Sequence, residues 1–560
     1  LMNIFNGNKS LFLFIISFII SLSITYLINP SILQYPQFWA EEGIFYSNIL
    51  KHNAFETLLL KDWGLYFNVL TRIIVLLVHF ALISIDNIPL AYHLIGATFI
   101  GLCTSIFCFE RFRCIIEQDY FRFFLCILFN LNFDNELRYI NNIAYYGVIP
   151  IILFIVYSEY ITRFFSLNKS ILFSFFVFIL FCSKPIFLAL SPIFIFLLYR
   201  EIKLANRSFS RIIVPLSAIL GSVLQFFSYI SVNFFNDLIR QESVFSNSLT
   251  NIMKQTIFDF LSIPIGNSFG IIYFKILPLN ITTLIISFMI FVIIFVILRL
   301  KSNNKIIFNL FIFFCIASLL NAFFVSAAGF IPPQNATQLD HLNSRRFYLS
   351  SVFFIFLFYI LVFYLINNFF LTIKIKYIPL LLLVIHVNVN NVFRIQKFNS
   401  FKFPIIGVAS WEEDYNLISY ENYCIPIDPF PWIINKNCNI INRLQFNLIN
   451  YIETKEYKSI KVFKKLFNFQ NKIYDHKIQS ILILAPKKIA KVVPILKIDY
   501  GFNNTIYIKP KPRKSHQGFY RYQFPVGLSH IANIQIVNNA YIPLKNNYPI
   551  VVYFGWRIEK

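Results

Sequence analysis

Two adjacent carboxylates, Glu41 and Glu42, follow two aromatic residues in the segment Phe38-Trp39-Ala40-Glu41-Glu42-Gly43. A carboxylate that is partly buried beside aromatic rings loses hydration, which raises its pKa toward the range useful to a general base. The alternative is that both acids lie in the first turn of a helix, predicted at about 42–60, where negative charge complements the helix dipole. The pattern alone leaves both interpretations open.

A second polar segment, Asp134-Asn135-Glu136-Leu137-Arg138-Tyr139-Ile140-Asn141-Asn142, separates two apolar runs. Glu136, Asn141 and Asn142 could bind sugar hydroxyls, together with Trp39, because carboxylates and amides accept and donate hydrogen bonds in fixed directions. An ordinary polar loop is the alternative.

Three cations occur where a membrane protein should have few of them. Lys184 lies in Ser183-Lys184-Pro185, and Arg345 and Arg346 precede a late apolar run. Segments on the outer side of a membrane are poor in Lys and Arg, and a guanidinium fork suits a phosphate group. We therefore predict that these cations bind a lipid phosphate; contact with membrane headgroups is the alternative.

The apolar runs predict a polytopic α-helical membrane protein. Of the 560 residues 57% are hydrophobic and 13% are charged, and the runs recur at lengths that suit a bilayer. Alternation of basic loops predicts about eleven spans with the N-terminus inside: Ser10–Ile28, Pro89–Phe109, Tyr120–Asp134, Tyr146–Phe164, Ser170–Cys182, Ile186–Tyr199, Phe209–Val232, Leu279–Arg299, Ile306–Val325, Phe347–Ile366 and Tyr377–Asn390. Residues 29–88 then form a long outer loop with juxtamembrane helices, one of them at Asn68–Ile83.

The composition changes after the last apolar run. Residues 1–390 are predicted to form the membrane domain, and residues 391–560, with short β-type runs, an extracytoplasmic domain of α/β or mainly β structure. Cys424 and Cys438 bracket a proline-rich segment, which predicts a disulfide in an oxidising compartment.

Several function classes are disfavoured. The net charge of +23 is attributed mainly to loops that set topology, not to nucleic-acid binding. No His or Cys pair has metal-ligand spacing, and no phosphate-binding glycine loop is present, which argues against ATP-driven transport. The sequence identifies no cofactor, and it leaves open a divalent cation held by Glu41 and Glu42.

The layout resembles the GT-C superfamily of membrane glycosyltransferases, and within it bacterial O-antigen-modifying glucosyltransferases. The resemblance rests on a short N-terminus before one span, the acidic signature Phe38–Gly43 at the head of a long outer loop, Arg345-Arg346-Phe347-Tyr348 before a late span, and a C-terminal extracytoplasmic domain. The acidic signature has Glu-Glu where related chains often have Glu-Asp, so the identity of the base stays open.

The resemblance implies an inverting transfer of a sugar, with glucose as a guess, from a polyprenyl-phosphate-linked donor to a lipid-linked O-antigen or other envelope glycan. It implies the bacterial inner membrane, with chemistry on the outer face, Glu41 or Glu42 as general base, and Arg345, Arg346 and Lys184 at the donor phosphate. The alternatives are a transporter or flippase, and another envelope enzyme such as a ligase, polymerase or acyltransferase.

Overall fold

The computed structural model describes residues 9–28, 36, 38, 41–62, 66–131, 138–160, 166–203, 209–235, 252–257, 259–260, 305–327, 347–369, 381 and 383–386, together with nine strands of the C-terminal region. Contacts divide the chain into two units. The first contains Leu1–Pro30, Asn53–Ala81 and Ala91–Ser400; the second contains Ser31–His52, Leu82–Leu90 and Phe401–Lys560.

Helices dominate the described residues before position 400. They are α1 (Lys9–Ile28), α2 (Glu41–Lys51), α3 (Ala54–Leu59), α4 (Val69–Phe80), α5 (Ile88–Ser105), α6 (Asp119–Leu131), α7 (Val148–Tyr160), α8 (Leu167–Phe181), α9 (Ser191–Lys203), α10 (Phe209–Phe235), α11 (Lys305–Ala327) and α12 (Tyr348–Phe369). Short 3₁₀ helices occupy Ile85–Asn87, Ile106–Cys108, Glu110–Cys114, Ile143–Gly147 and Pro185–Leu190, and a small hairpin pairs β1 (Lys61–Asp62) with β2 (Tyr66–Phe67).

Six helical segments among the described residues are long and apolar enough to cross a bilayer: Lys9–Leu27, Ile85–Cys108, Ile143–Tyr160, Pro185–Lys203, Phe209–Ser228 and Ile306–Ser326. Three apolar helices are shorter, at Val69–Phe80, Leu167–Phe181 and Tyr348–Val362. The chain is therefore a multi-pass helical membrane protein, as predicted. Eleven spans stay a prediction, since Leu279–Arg299 and most of Tyr377–Asn390 lie outside the described residues.

The predicted helix at about 42–60 is two helices, which corrects the sequence interpretation. α2 ends at Lys51 and α3 begins after Asn53, whose side chain accepts a hydrogen bond from the Glu56 amide at 2.9 Å. The Glu56 carboxylate accepts in return from the Asn53 amide at 3.4 Å. This reciprocal capping box starts a new helix because it satisfies two amides that the preceding helix cannot.

α4 confirms the predicted helix after Asn68, but its twelve residues rise only about 18 Å, too short to cross a bilayer. Arg72 of α4 is 2% exposed and buried within the protein. The chain folds α4 back among the other helices instead of leaving Arg72 to face lipid.

Helices α8 and α10 pack closely through a glycine. A Cβ added to Gly221 of α10 would lie 2.7 Å from the Cβ of Phe181 at the end of α8. The segment Ser183-Lys184-Pro185, which we call the hinge, follows directly, and the chain turns there into the 3₁₀ helix Pro185–Leu190 and α9. Close backbone contact at Gly221 therefore fixes the position of the hinge against α10.

The first unit has one end rich in ion pairs, which we call the ion-pair end. There Asp119 at the start of α6 pairs with Arg113 and Arg122. Glu159 near the end of α7 pairs with Arg200 of α9, and Arg211 of α10 pairs with Glu201. These ion pairs lie near the ends of their helices. Acidic partners therefore accompany the basic residues from which the topology was predicted.

The opposite end of the same helices carries Asn68, Asn141, Asn142, Lys184 and Gln225, and we call it the amide end. All five residues are buried. They lie before α4, before the 3₁₀ helix Ile143–Gly147, after α8 and in the second half of α10. Because these helices alternate in direction, residues far apart in sequence meet at one end.

The strands described in the second unit are β3 (Tyr423–Pro426), β4 (Ile433–Lys436), β5 (Lys477–Pro486), β6 (Leu496–Tyr500), β7 (Asn504–Ile508), β8 (Lys511–Lys514), β9 (Phe519–Leu528), β10 (Ile531–Ile536) and β11 (Val551–Arg557). They form sheets in the orders β3-β4, β10-β6-β7 and β11-β5-β9-β8, and every pair is antiparallel. The residue pairing Cys424↔Asn435 makes β3 and β4 a hairpin around the proline-rich segment.

Candidate functional site

The start of α4 joins two predicted elements of the site. The Asn68 amide donates to the carbonyl of Asn141 at 3.2 Å, and the Thr71 hydroxyl donates to the carbonyl of Ile140 at 2.7 Å. Asn68 and Thr71 are fully buried. These bonds hold the segment before the 3₁₀ helix Ile143–Gly147 against α4, so that Asn141 is part of a fixed structure and not of an ordinary surface loop.

The hinge after α8 caps the same helix start. The Leu70 amide donates to the Ser183 hydroxyl at 2.8 Å, and the Val69 amide donates to the carbonyl of Cys182 at 3.4 Å. The first amides of a helix have no partner within it, so oxygen atoms from the hinge satisfy them. The start of α4 therefore lies between Asn141 on one side and Cys182 and Ser183, which precede Lys184, on the other.

Lys184 is 3% exposed and contacts two tyrosine rings. Its Nζ atom lies 5.2 Å from the ring centroid of Tyr66 and 5.7 Å from that of Tyr145, and 3.5 Å from the Tyr66 hydroxyl. A cation over an aromatic face keeps its charge while losing water. Lys184 is therefore a desolvated cation between Tyr66 of β2 and Tyr145, which follows Asn142 by three residues.

Gln225 of α10 holds the strand that carries Tyr66. Its side-chain oxygen accepts from the Phe67 amide at 3.0 Å, and its nitrogen donates to the Phe67 carbonyl at 3.1 Å. Lys61 of β1 adds a 3.4 Å hydrogen bond to the carbonyl of Ser228. This two-bond clamp fixes the backbone next to Tyr66 and, through it, the surroundings of Lys184.

Arg138 is a second buried cation in the predicted polar segment, and sequence reasoning did not include it in the site. It is 1% exposed. Its NH1 group donates to the Thr25 hydroxyl at 2.7 Å and to Asn130 Oδ1 at 3.1 Å, and its NH2 group donates to the Asn130 carbonyl at 2.8 Å. Within the part of the chain that the structure describes, its hydrogen-bond partners are all neutral.

Asp259 is a further residue that the sequence interpretation missed. It is 1% exposed and accepts hydrogen bonds from Gln255 at 2.6 Å and from Ser326, at the end of α11, at 3.4 Å. Burial raises the pKa of this carboxyl to about 7, although both hydrogen bonds act in the opposite direction. Asp259 can therefore hold or release a proton near neutral pH. Its only sequence signal was an acid within a polar stretch.

The start of α12 meets the amide end through two tyrosines. The rings of Tyr146 and Tyr348 lie 5.3 Å apart, and Phe347 packs in a cluster with Val325 and Phe260. The buried Tyr146 hydroxyl has no hydrogen-bond partner among the described residues. The first residues of this segment, Phe347 and Tyr348, therefore contact Phe260, which follows Asp259, and Tyr146 at the amide end. In sequence they come directly after Arg345 and Arg346.

Glu41 and Glu42 belong to the second unit. They form the first turn of α2, where their charges complement the helix dipole, and Glu42 is fully buried. Phe38, also fully buried, stacks on Tyr46 with ring centroids 5.4 Å apart. α2 packs against β4. Both acids therefore lie in the first turn of a helix, as the alternative interpretation predicted. Glu42 is in addition buried, as the general-base interpretation requires.

The structure thus gathers three predicted residues, Lys184, Asn141 and Asn142, at one end of the first unit. Trp39, Glu136, Arg345, Arg346 and Cys438 lie outside the described residues, and Cys424 is described only as part of β3. The roles predicted for these residues, and the Cys424–Cys438 disulfide, stay predictions.

In the ranges that the structure describes, no group of three or more His, Cys, Asp or Glu side chains could hold a metal ion. The sulfur atoms of Cys108, at the end of the 3₁₀ helix Ile106–Cys108, and Cys126, on α6, lie 3.6 Å apart and are buried. The described amide end supplies two buried cations, Lys184 and Arg138, and the side-chain amides of Asn141 and Asn142.

No protein-family model, curated protein or solved structure matches this chain. The resemblance to GT-C glycosyltransferases accordingly rests on the residues and layout of the chain itself.

Proposed function

We propose that this chain is an inverting glycosyltransferase that moves a sugar from a polyprenyl-phosphate-linked donor to a lipid-linked O-antigen or another envelope glycan. One observation carries the proposal. The start of α4 brings a buried cation, Lys184, together with the amide-bearing segment of Asn141 and Asn142 at one end of a membrane-spanning bundle. A lipid-linked sugar phosphate presents the matching groups at a membrane surface: an anion beside a ring of hydroxyls.

Lys184 would stabilise the leaving group. When the bond from the anomeric carbon to the phosphate oxygen breaks, negative charge accumulates on the phosphate, and a desolvated cation stabilises that charge more strongly than one in water. Arg345 and Arg346, which precede α12, would add guanidinium contacts to the same phosphate. The phosphate is a good leaving group, so its departure needs cations and no general acid.

Asn141, Asn142 and Glu136, with Trp39, would bind sugar hydroxyls. Glu41 or Glu42 would accept the proton of the acceptor hydroxyl as its oxygen attacks the anomeric carbon. Attack from the side opposite the departing phosphate inverts the configuration at that carbon. A divalent cation could assist through the same two carboxylates.

The proposal places the amide end on the outer face of the bacterial inner membrane, with the N-terminus in the cytoplasm and residues 391–560 in the periplasm. Support comes from the basic residues of the ion-pair end, Arg113, Arg122, Arg200 and Arg211. Lys and Arg accumulate on the cytoplasmic side of membrane proteins.

A transporter or flippase is the alternative, and one feature bears on it. Ser17, Ser21 and Thr25 form a polar line along α1 between α5 and α6. These hydroxyls bond to neighbouring helices: Ser105 lies 3.0 Å from Ser17, and Thr104 lies 3.5 Å from Ser21. Hydroxyl groups that bond to hydroxyls of a neighbouring helix hold the two helices together. These residues therefore favour a structural role over a substrate pathway of a transporter.

The leaving-group role is tested by sugar transfer from a polyprenyl-phosphate sugar in detergent. Lys184→Met should lower transfer by at least tenfold because the phosphate loses a desolvated cation. Lys203→Met is the matched control, since Lys203 also lies over a tyrosine ring, 4.5 Å from that of Tyr199, but on the last turn of α9 at the ion-pair end. Equal losses in both variants would remove Lys184 from the site.

The base is tested in the same assay with Glu41→Gln and Glu42→Gln. The variant that lacks the base should lose transfer by a hundredfold or more, and the other should retain most of it. Glu56→Gln, in α3, is the control because glutamine keeps the capping interaction. Full transfer by both variants of the acidic pair would refute the catalytic assignment.

A further inference from the structure

Positive charge is concentrated in the last part of the chain. Residues 477–560 contain thirteen Lys or Arg residues and two acids, Asp499 and Glu559, and so carry eleven of the 23 net positive charges. The described strands there are short, and no membrane-spanning helix among the described residues lies in this range. Control of membrane topology, which accounts for basic loops between spans, therefore does not account for this charge.

The sheet β11-β5-β9-β8 concentrates the imbalance further. Its four strands contain six Lys or Arg residues and no acid. Arg513 of β8 is the register partner of Arg521 of β9, whose partner on the other side is Leu484 of β5. Like charges directly opposite each other destabilise an antiparallel pair. An anion bound between like-charged register partners offsets that cost.

The register also places suitable residues on the same face. Residues two apart on a strand share a face, and so do register partners. One face of β8 and β9 therefore carries Lys511 and Arg513, their partners Gln523 and Arg521, and Phe519. Guanidinium groups suit carboxylate or phosphate, an amide suits hydroxyls, and an aromatic ring suits the apolar side of a sugar ring.

We propose that this face of β8 and β9 binds an anionic glycan, a saccharide chain that carries carboxylate or phosphate groups. The binding does not depend on the transfer reaction proposed above, so either can fail alone. An edge strand rich in Lys with a proline, such as Lys511-Pro512-Arg513-Lys514, also discourages pairing with another sheet. Edge protection explains cations on β8, but it does not explain an arginine opposite them on β9.

The test uses the full-length protein in an uncharged detergent and a fluorescently labelled oligogalacturonate, whose sugars each carry a carboxylate. Arg513→Gln with Arg521→Gln should weaken binding at least tenfold. Lys487→Gln with Lys488→Gln is the matched control, because it removes the same charge from the same basic segment outside the described strands; it should change affinity less than twofold. A maltodextrin of equal length, which is uncharged, should not compete.

A second variant separates binding from folding. Arg513→Glu places opposite charges across the strand pair, so the thermal midpoint should stay or rise while oligogalacturonate affinity falls at least tenfold. Equal losses from both double variants would overturn the proposal in favour of diffuse attraction. Unchanged glycan affinity, accompanied by self-association or by weaker binding to vesicles of anionic lipid, would overturn it in favour of edge protection or a lipid surface respectively.

Discussion

The two ends of the helical bundle solve the problem of buried charge differently. At the ion-pair end Arg122, fully buried, meets the carboxylate of Asp119 at 2.5 Å and also donates to the carbonyls of Phe107 and Ile116. At the amide end Arg138, equally buried, meets a hydroxyl and an amide of Thr25 and Asn130. The chain thus neutralises one arginine with a fixed acid and surrounds the other, in the described part, with neutral groups.

The difference suggests that the ion-pair end serves mainly folding stability and that the amide end serves ligand binding. A buried cation with a fixed carboxylate has little charge left to offer a ligand, whereas a buried cation among neutral dipoles keeps an electric field that can act on an anion. The amide end is therefore the end at which substitutions should affect ligands more than folding.

The largest effect is expected from Asp119→Asn at the ion-pair end. The substitution leaves Arg122 buried without a carboxylate, which costs about 3–5 kcal/mol, and thermal unfolding in detergent would measure it. Hydrogen bonding from Arg113 lowers the pKa of Asp119. The ionised Asp119 therefore stabilises the folded protein above about pH 3.9, the pKa of an unfolded aspartate, and this stabilisation is lost as the pH falls further. Asp119→Asn should not show this loss at low pH. Thr25→Val, beside Arg138, should cost only about 1 kcal/mol; a cost equal to that of Asp119→Asn would end the contrast.

Asp259→Asn tests the amide end in the opposite direction. Because burial raises the pKa of Asp259 to about 7, the folded protein holds a proton that the unfolded chain releases near pH 4. Stability is then full below about pH 4, falls as the pH rises toward 7, and levels off above it.

The asparagine variant cannot ionise, so at pH 8 it should be more stable than the parent by roughly 4 kcal/mol, with little difference at pH 4. Unfolding midpoints across this pH range would measure the effect. Asp86→Asn, in the 3₁₀ helix Ile85–Asn87, should leave the profile of the parent unchanged. A parent profile that is flat between pH 4 and 7 would show that Asp259 is not desolvated.

Gly221→Ala should have an intermediate effect. The added methyl group would lie 2.7 Å from the Cβ of Phe181 and 3.1 Å from the Phe178 carbonyl, atoms that cannot rotate away, so we expect a loss of about 1–3 kcal/mol. Gln225 lies one turn further along α10. A shift of α10 at position 221 should therefore also move Gln225 and raise the KM for the donor. In Gly147→Ala the methyl group meets the end of one side chain, the two terminal methyls of Leu180 at 2.5 Å and its Cγ at 3.1 Å, and this side chain can move. A larger loss from Gly147→Ala would contradict this account.

Gln225→Leu should have the smallest effect on folding. The Phe67 amide and carbonyl each lose a partner, at roughly 1 kcal/mol apiece. The clamp beside Tyr66 would loosen, so donor KM should rise severalfold while kcat changes little. Gln118→Leu, at the ion-pair end, should leave both kinetic constants unchanged; parallel changes in the two variants would show that the clamp does not serve the site.

Local sequence patterns predicted the elements of the bundle but not their partners. The apolar runs and the Ser183-Lys184-Pro185 turn predicted α8, the hinge and α9, because hydrophobic length and proline act within a few residues. Tyr66 lies 118 residues from Lys184, and no local pattern links them. Lys184 was therefore predicted as a cation of the site, while its aromatic surroundings required the fold.

The break between α2 and α3 was missed for a different reason. Asn53 and Glu56 have the spacing of a capping box, but the apolar residues on both sides predicted one continuous helix. β8 and β9 are also hard to predict from sequence, since proline, glycine and charge outweigh their short alternating pattern. In both cases a local signal was present and was outweighed by composition.

The capping box at Asn53 also makes this position suitable for engineering. The second unit's segment ends at His52 and the first unit resumes at Asn53, where α3 is started by its own side chains and not by continuation of α2. Residues inserted between His52 and Asn53 would leave the start of α3 intact, because the amides of Asn53 and Glu56 keep their partners. An epitope or a fluorophore-binding tag placed there would report which side of the membrane this junction occupies in living cells.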